Sequence, residues 1–133
     1  MSTRAQVAAV ALLGIAVAAY LTVVHYAHTA PICTTGGCET VQHSSYAELA
    51  GVPVALLGLI AYVLILGTAG LRGVAPALLG GVLALAAAAF SGYLLWVQLA
   101  RIHAICQWCV GNDAIVAVLA LLCAVRLLRE PAR

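Results

Sequence analysis

Four cysteines stand in two pairs, Cys33 with Cys38 and Cys106 with Cys109, and paired thiols at such spacings can carry out thiol–disulfide exchange. In "AICQWCVGND", residues 104–113, two thiols lie three residues apart where a polar patch gives way to a long apolar run. A helix start favours a thiolate, so Cys106 and Cys109 are placed to be reactive. Thr34, Thr35, Gly36 and Gly37 separate the other two thiols, and this flexible link lets Cys33 and Cys38 pair with each other or part. Mobility of that kind suits a shuttle. Cys123 is different: it sits among Leu121, Leu122, Ala124 and Val125 and is expected to pack as a small buried hydrophobe.

The elements that must position these thiols are membrane helices. The chain has 133 residues, 65% of them hydrophobic and 8% charged, against roughly 25% charged in soluble domains. Its basic residues are six arginines and no lysine, which leaves no footprint for nucleic acid and no polybasic lipid patch. A hydrocarbon core of about 30 Å needs about 20 apolar residues per helix. Four stretches qualify, at about residues 7–26, 52–70, 74–100 and 110–128. The first is too long for a signal peptide, and His28 stands where a cleavage site needs a small residue, so an uncleaved helix is expected.

Orientation follows from the arginines, since basic residues near helix ends stay on the cytoplasmic side. With four spans, Arg4, Arg72, Arg126, Arg129 and Arg133 share one side and Arg101 stands alone on the other. Both termini are thus expected in the cytoplasm. Residues 27–51 and 101–108 then face the periplasm or cell exterior, a compartment that permits disulfides, with Cys33, Cys38 and Cys106 inside these segments and Cys109 at their edge. Four thiolates can also hold a structural zinc, and two bridges can be purely structural. Zinc would require every thiol reduced in an oxidising compartment, and a CxxC bridge closes a small strained ring better suited to a labile bond.

Within "CTTGGCETVQHSSYAELAGVP", residues 33–53, the segment 39–49 can form a short surface helix with Val41, Tyr46 and Leu49 on its apolar side. It would cap a pocket between the helices or act as a plain connector. Gly51 and Pro53 then open the second span. A relay of two pairs offers one to a soluble thiol protein and the other to a hydrophobic acceptor inside the bundle. The natural acceptor is a quinone.

These residues resemble the vitamin K epoxide reductase family in its short bacterial form. The resemblance rests on a Cys-x4-Cys loop (Cys33, Cys38), a serine six residues after the second loop cysteine (Ser44), "GVPVALLG" at the second span and a late "CQWC". The order is informative, because the other four-helix quinone-linked thiol oxidase family, DsbB, carries its CxxC in the first outer loop. The resemblance implies an all-α membrane protein, a single transmembrane domain over residues 1–133 built as a four-transmembrane-helix bundle around a quinone, menaquinone or ubiquinone, near the outer surface. It further implies that Cys33 exchanges with a thioredoxin-fold (DsbA-like) periplasmic protein, Cys38 passes electrons to Cys106, and Cys109 faces the quinone, with Ser44 positioning the relay. The product would be an oxidised partner that supports disulfide formation in exported proteins.

Two positions depart from the family pattern. Vertebrate members use an asparagine on the second span and a tyrosine four residues after the CxxC, and the matching places here are Val54 and Asp113. Plain quinone reduction is therefore expected rather than epoxide reduction. No thioredoxin-like domain follows the fourth span, so the partner is expected to be a separate protein. Asp113 shares a helical face with Cys109, and an ionisable group so close to hydrocarbon is a candidate to give a hydrogen bond or a proton to a quinone oxygen, or else to cap polar groups at the interface. Tyr62 and Tyr93 lie within spans and either line the quinone pocket or bond a neighbouring helix. Trp96 and Trp108 fit an aromatic belt, His25, His28 and His103 fit interface positions, and "LGGVLALAAAAFSG", residues 79–92, is expected to let the third helix approach its neighbours closely.

Overall fold

The computed structural model describes residues 2–27, 48–49, 51–103 and 107–129. Cys33, Cys38, Ser44 and Cys106, with residues 39–47 of the expected surface helix, lie outside them. Helix α1 spans Thr3–Tyr26 and starts at Ser2, whose hydroxyl accepts from the Ala5 amide at 3.2 Å. A two-residue strand β1, Glu48–Leu49, pairs antiparallel with β2, Val52–Pro53, around a turn in which Gly51 has φ +84°. Helix α2 spans Val54–Ala69 and α3 spans Val74–Val97. A π-helical turn, Gln98–Ile102, extends α3, and α4 spans Gln107–Arg129.

Among the described residues, three helical segments, including α3 with its π-helical turn, are long and apolar enough to cross a membrane, and α2 is a shorter apolar helix of 16 residues. The protein is a helical membrane protein. At 1.5 Å per residue α2 is about 24 Å long, short of the roughly 30 Å hydrocarbon core. Two other boundaries differ from the sequence reading. Glu48–Leu49, expected to end a surface helix, are strand, because they hydrogen-bond across a tight turn to the residues that lead into α2. The third span does not stop at residue 100: its helix continues to Ile102 and ends where His103 turns left-handed at φ 56°, a conformation that histidine adopts more readily than most residues.

The helices run up and down around a square: α1 packs on α2 and α4, and α3 packs on α2 and α4. The seam of α1 is Val7, Ala11, Gly14, Ala18 and Leu21, all buried at alternating spacings of four and three. Side chains on this seam are small, which lets backbones approach where lipid offers no hydrophobic drive for helix association. A methyl on Gly14 would land inside the Tyr62 ring of α2, and one on Gly80 of α3 would lie 2.6 Å from Thr68 Oγ1. The close approach expected of the third helix is thus realised against α2. Cys123 is buried with Val116 and Leu119 on the inner face of α4, as packing.

One end of the bundle is tied by arginines from the last turns of α4. Arg126, 2% exposed, donates to the Leu71 carbonyl at 2.6 Å, and Arg129 donates to Thr3 Oγ1 at 3.2 Å. These contacts gather the start of α1, the α2–α3 turn and the end of α4 at one end. Leu71 lies in the turn after α2, where helix-end carbonyls lack intrahelical donors, and the guanidinium supplies one. At the opposite end, Tyr20 of α1 packs against Trp108 of α4, the rings tilted at 53° with centroids 4.9 Å apart.

Candidate functional site

Cys109 lies in the first turn of α4, half-buried. Its neighbour Trp108 is packed against α1 through Tyr20 and is half-buried, so it serves the bundle's interior more than an outer aromatic belt. Residues three, four and seven further along the helix share the face of Cys109. They are Asn112, Asp113 and Val116, and Val116 is core.

Each of the two polar residues on that face binds a different helix. Tyr62 of α2 donates its hydroxyl to Asn112 Oδ1 at 2.5 Å, reaching across the diagonal of the square over Gly14. Ser91 of α3, itself buried, donates to Asp113 Oδ1. The second carboxyl oxygen, Asp113 Oδ2, is buried and has no hydrogen-bond partner among the described residues. A polar layer thus crosses the bundle one turn below Cys109. Groups of this kind inside a membrane protein are costly to bury, so they pair with one another and mark functional interiors.

Beside this layer lies a cavity of about 260 Å³ between α2 and α3. Val54, Leu57 and Ala61 line one wall and Ala87, Phe90 and Leu94 the other, while Tyr62, Ser91 and Asn112 supply its polar groups. Its volume lies just below the roughly 300–1,000 Å³ of small-ligand sites, which are likewise mostly apolar with a few convergent polar groups. A flat apolar ring with hydrogen-bonding carbonyls fits such a lining, since Tyr62 and Ser91 offer hydroxyls and Asn112 an amide.

Of the residues singled out by sequence, Val54 and Tyr62 line this cavity, and Asp113 touches it through Ser91. Tyr93 does not line it: it is 47% exposed on the outer face of α3, between Phe90 and Trp96. Trp96 is also exposed there, with the Arg101 guanidinium 5.6 Å above its ring, an arrangement that suits a membrane interface. Ser91 and Asn112 were not singled out. Both are polar residues inside an apolar run, and that signal alone marks them.

The fold and this interior define a polytopic helical membrane protein with a thiol set above a polar, ligand-sized layer. The family model described as Vitamin K epoxide reductase family matches residues 5–124. The chain belongs to that family, and with it to a quinone-linked class of membrane thiol oxidoreductases whose members typically work with thioredoxin-like partners.

Proposed function

We propose that the protein passes electrons from a periplasmic thioredoxin-fold partner, through Cys33 and Cys38 and then Cys106 and Cys109, to a membrane quinone, and so supports disulfide formation in exported proteins. One observation carries this reading: a single face of α4 runs from Cys109 to Asn112 and Asp113, which join the polar layer beside the α2–α3 cavity. Each transfer between thiol pairs is attack of a thiolate on a disulfide sulfur. Cys33 faces the soluble partner, Cys38 hands the electrons on to Cys106, and Ser44 positions the loop. Cys109 delivers to the quinone, which takes up two electrons and two protons when bound. Tyr62, Asn112 and Ser91 orient the ring, and Val54, Phe90 and Leu94 exclude water from it.

The protein sits in the bacterial cytoplasmic membrane with both termini inside and residues 27–51 outside, as a single domain over 1–133. Val54 puts an apolar side chain where vertebrate relatives have an amide, which favours a plain quinone over an epoxide. The test is quinone absorbance followed with detergent-purified protein and a reduced thioredoxin-fold donor. Wild-type protein should reduce menaquinone or ubiquinone analogues, and Cys109→Ala should abolish that turnover. Undiminished turnover in Cys109→Ala would reject the relay.

A further inference from the structure

The polar layer holds one group that neither ring binding nor thiol exchange requires. Asp113 keeps one carboxyl oxygen on the Ser91 hydroxyl, and the other is buried without a donor among the described residues. Ser91 in turn lines the cavity. The hydroxyl therefore touches both the carboxyl and the space in which a ligand would lie, and a hydroxyl both donates and accepts and can rotate between partners. Asp113 also stands four residues from Cys109 on the same helical face. A structural carboxyl at an interface would turn both oxygens to water or to backbone donors. This one keeps one oxygen on a hydroxyl and the other buried, one helical turn from a thiol.

We propose that Asp113 is the proton shuttle of quinone reduction and Ser91 its outlet into the cavity, an inference that rests on the relay described above. The balance closes as follows. Oxidation of the Cys106–Cys109 dithiol to a disulfide forms one S–S bond and releases two electrons and two protons, and the quinone takes up two of each to become a quinol. Asp113 gives one proton to the ring oxygen through Ser91 and regains it from the Cys109 thiol, so its charge is restored each cycle. The second proton enters from outer water, which receives that of the Cys106 thiol. Among the described residues, the titratable groups about Asp113 are Tyr62 of α2, which interacts with it electrostatically, and Cys109, one turn back on its own helix. Across from it α3 presents Ser91, and on α1 the nearest ionisable ring with a described contact to α4 is Tyr20, on Trp108.

The experiment compares wild type, Asp113→Asn, Asp113→Glu and Ser91→Ala with dithiothreitol as electron donor and short-chain ubiquinone and menaquinone as acceptors. General acid catalysis contributes roughly 100-fold or more, so Asp113→Asn should lose kcat on that order with KM for the quinone little changed. The decline of wild-type kcat at high pH should be missing in Asp113→Asn and present again in Asp113→Glu. A readout independent of turnover is the infrared difference spectrum on reduction of the quinone-loaded protein. Because the carboxyl's charge is restored, its carboxylic-acid band should shift in wild type as the ring oxygen becomes a hydroxyl, be missing in Asp113→Asn and lose that shift in Ser91→Ala. Should Asp113→Asn fail to fold, Ser91→Ala carries the test, through loss of the band shift and a fall in kcat beyond the several-fold rise in KM that loss of a ring-orienting hydroxyl brings. Wild-type turnover and pH profile in Asp113→Asn, or a loss confined to KM, would overturn the shuttle and leave the relay standing. A wild type that reduces neither quinone would overturn both.

Discussion

The hydroxyl of Tyr62 and the missing side chain of Gly14 are two halves of one arrangement. The ring can cross the bundle to Asn112 only because α1 presents no Cβ at that level. Gly14→Ala should therefore destabilise the protein by about 1–3 kcal/mol, as overpacking does, and the loss is read as a lower thermal midpoint in detergent. Tyr62→Phe keeps the ring and removes one interhelical hydrogen bond, worth about 0.6 kcal/mol on average in membrane proteins, so its midpoint should barely move. Its KM for quinone should rise several-fold, because a group that orients the ring is lost; an unchanged KM would remove Tyr62 from the site. Asp113 was legible in the sequence because a charge within an apolar run at helical spacing from a cysteine has few other uses. Tyr62 and Tyr93 were not separable. Core and lipid are both apolar, so hydrophobic periodicity cannot say which tyrosine turns inward, and only packing puts one over Gly14 and the other, 47% exposed, beside Trp96.

Four apolar helices were readable from length and composition, and an expected orientation from arginine placement, whereas the exceptions arise from local backbone contacts. The strand at Glu48–Leu49 exists because Val52–Pro53 pairs with it, a partner that side-chain periodicity does not reveal. Likewise, helix passes residue 100 through the π-helical turn Gln98–Ile102 and stops only where His103 turns left-handed. On α4 the two arginines of the last turns look alike in sequence and differ in burial. Arg126→Ala removes the guanidinium of a buried side chain and its part-buried, charge-assisted hydrogen bond to the Leu71 carbonyl, which costs about 1.5–3 kcal/mol. Arg129→Ala removes an exposed contact to Thr3 and should change stability by about 0.5 kcal/mol or less. Thermal midpoints of the two variants side by side check the order, and equal losses would refute the distinction.

Because α1 begins and α4 ends at the same end of the bundle, the two termini are expected on one side of the membrane, and the arginines there predict the cytoplasmic side. Reporters fused to either terminus should be active only as cytoplasmic reporters; a periplasmic signal from one of them would break the four-crossing arrangement. The short α2 adds a second expectation. A helix of about 24 Å matches a thin bilayer, so turnover in vesicles should peak at shorter acyl chains than suit a uniform 30 Å bundle, by the modest cost of mismatch per ångström. The arginine ties at the end of α4 bear on how the chain is made. The residues they join are 55 and 126 positions apart, so neither contact can form until the last helix has left the ribosome and entered the bilayer. Until then the Leu71 carbonyl lacks its guanidinium, and Tyr62 and Ser91 lack the α4 residues they bind. A chain arrested before α4 thus carries unmet hydrogen-bonding groups within lipid, a mark by which membrane quality-control proteases can tell an unfinished copy from a finished one.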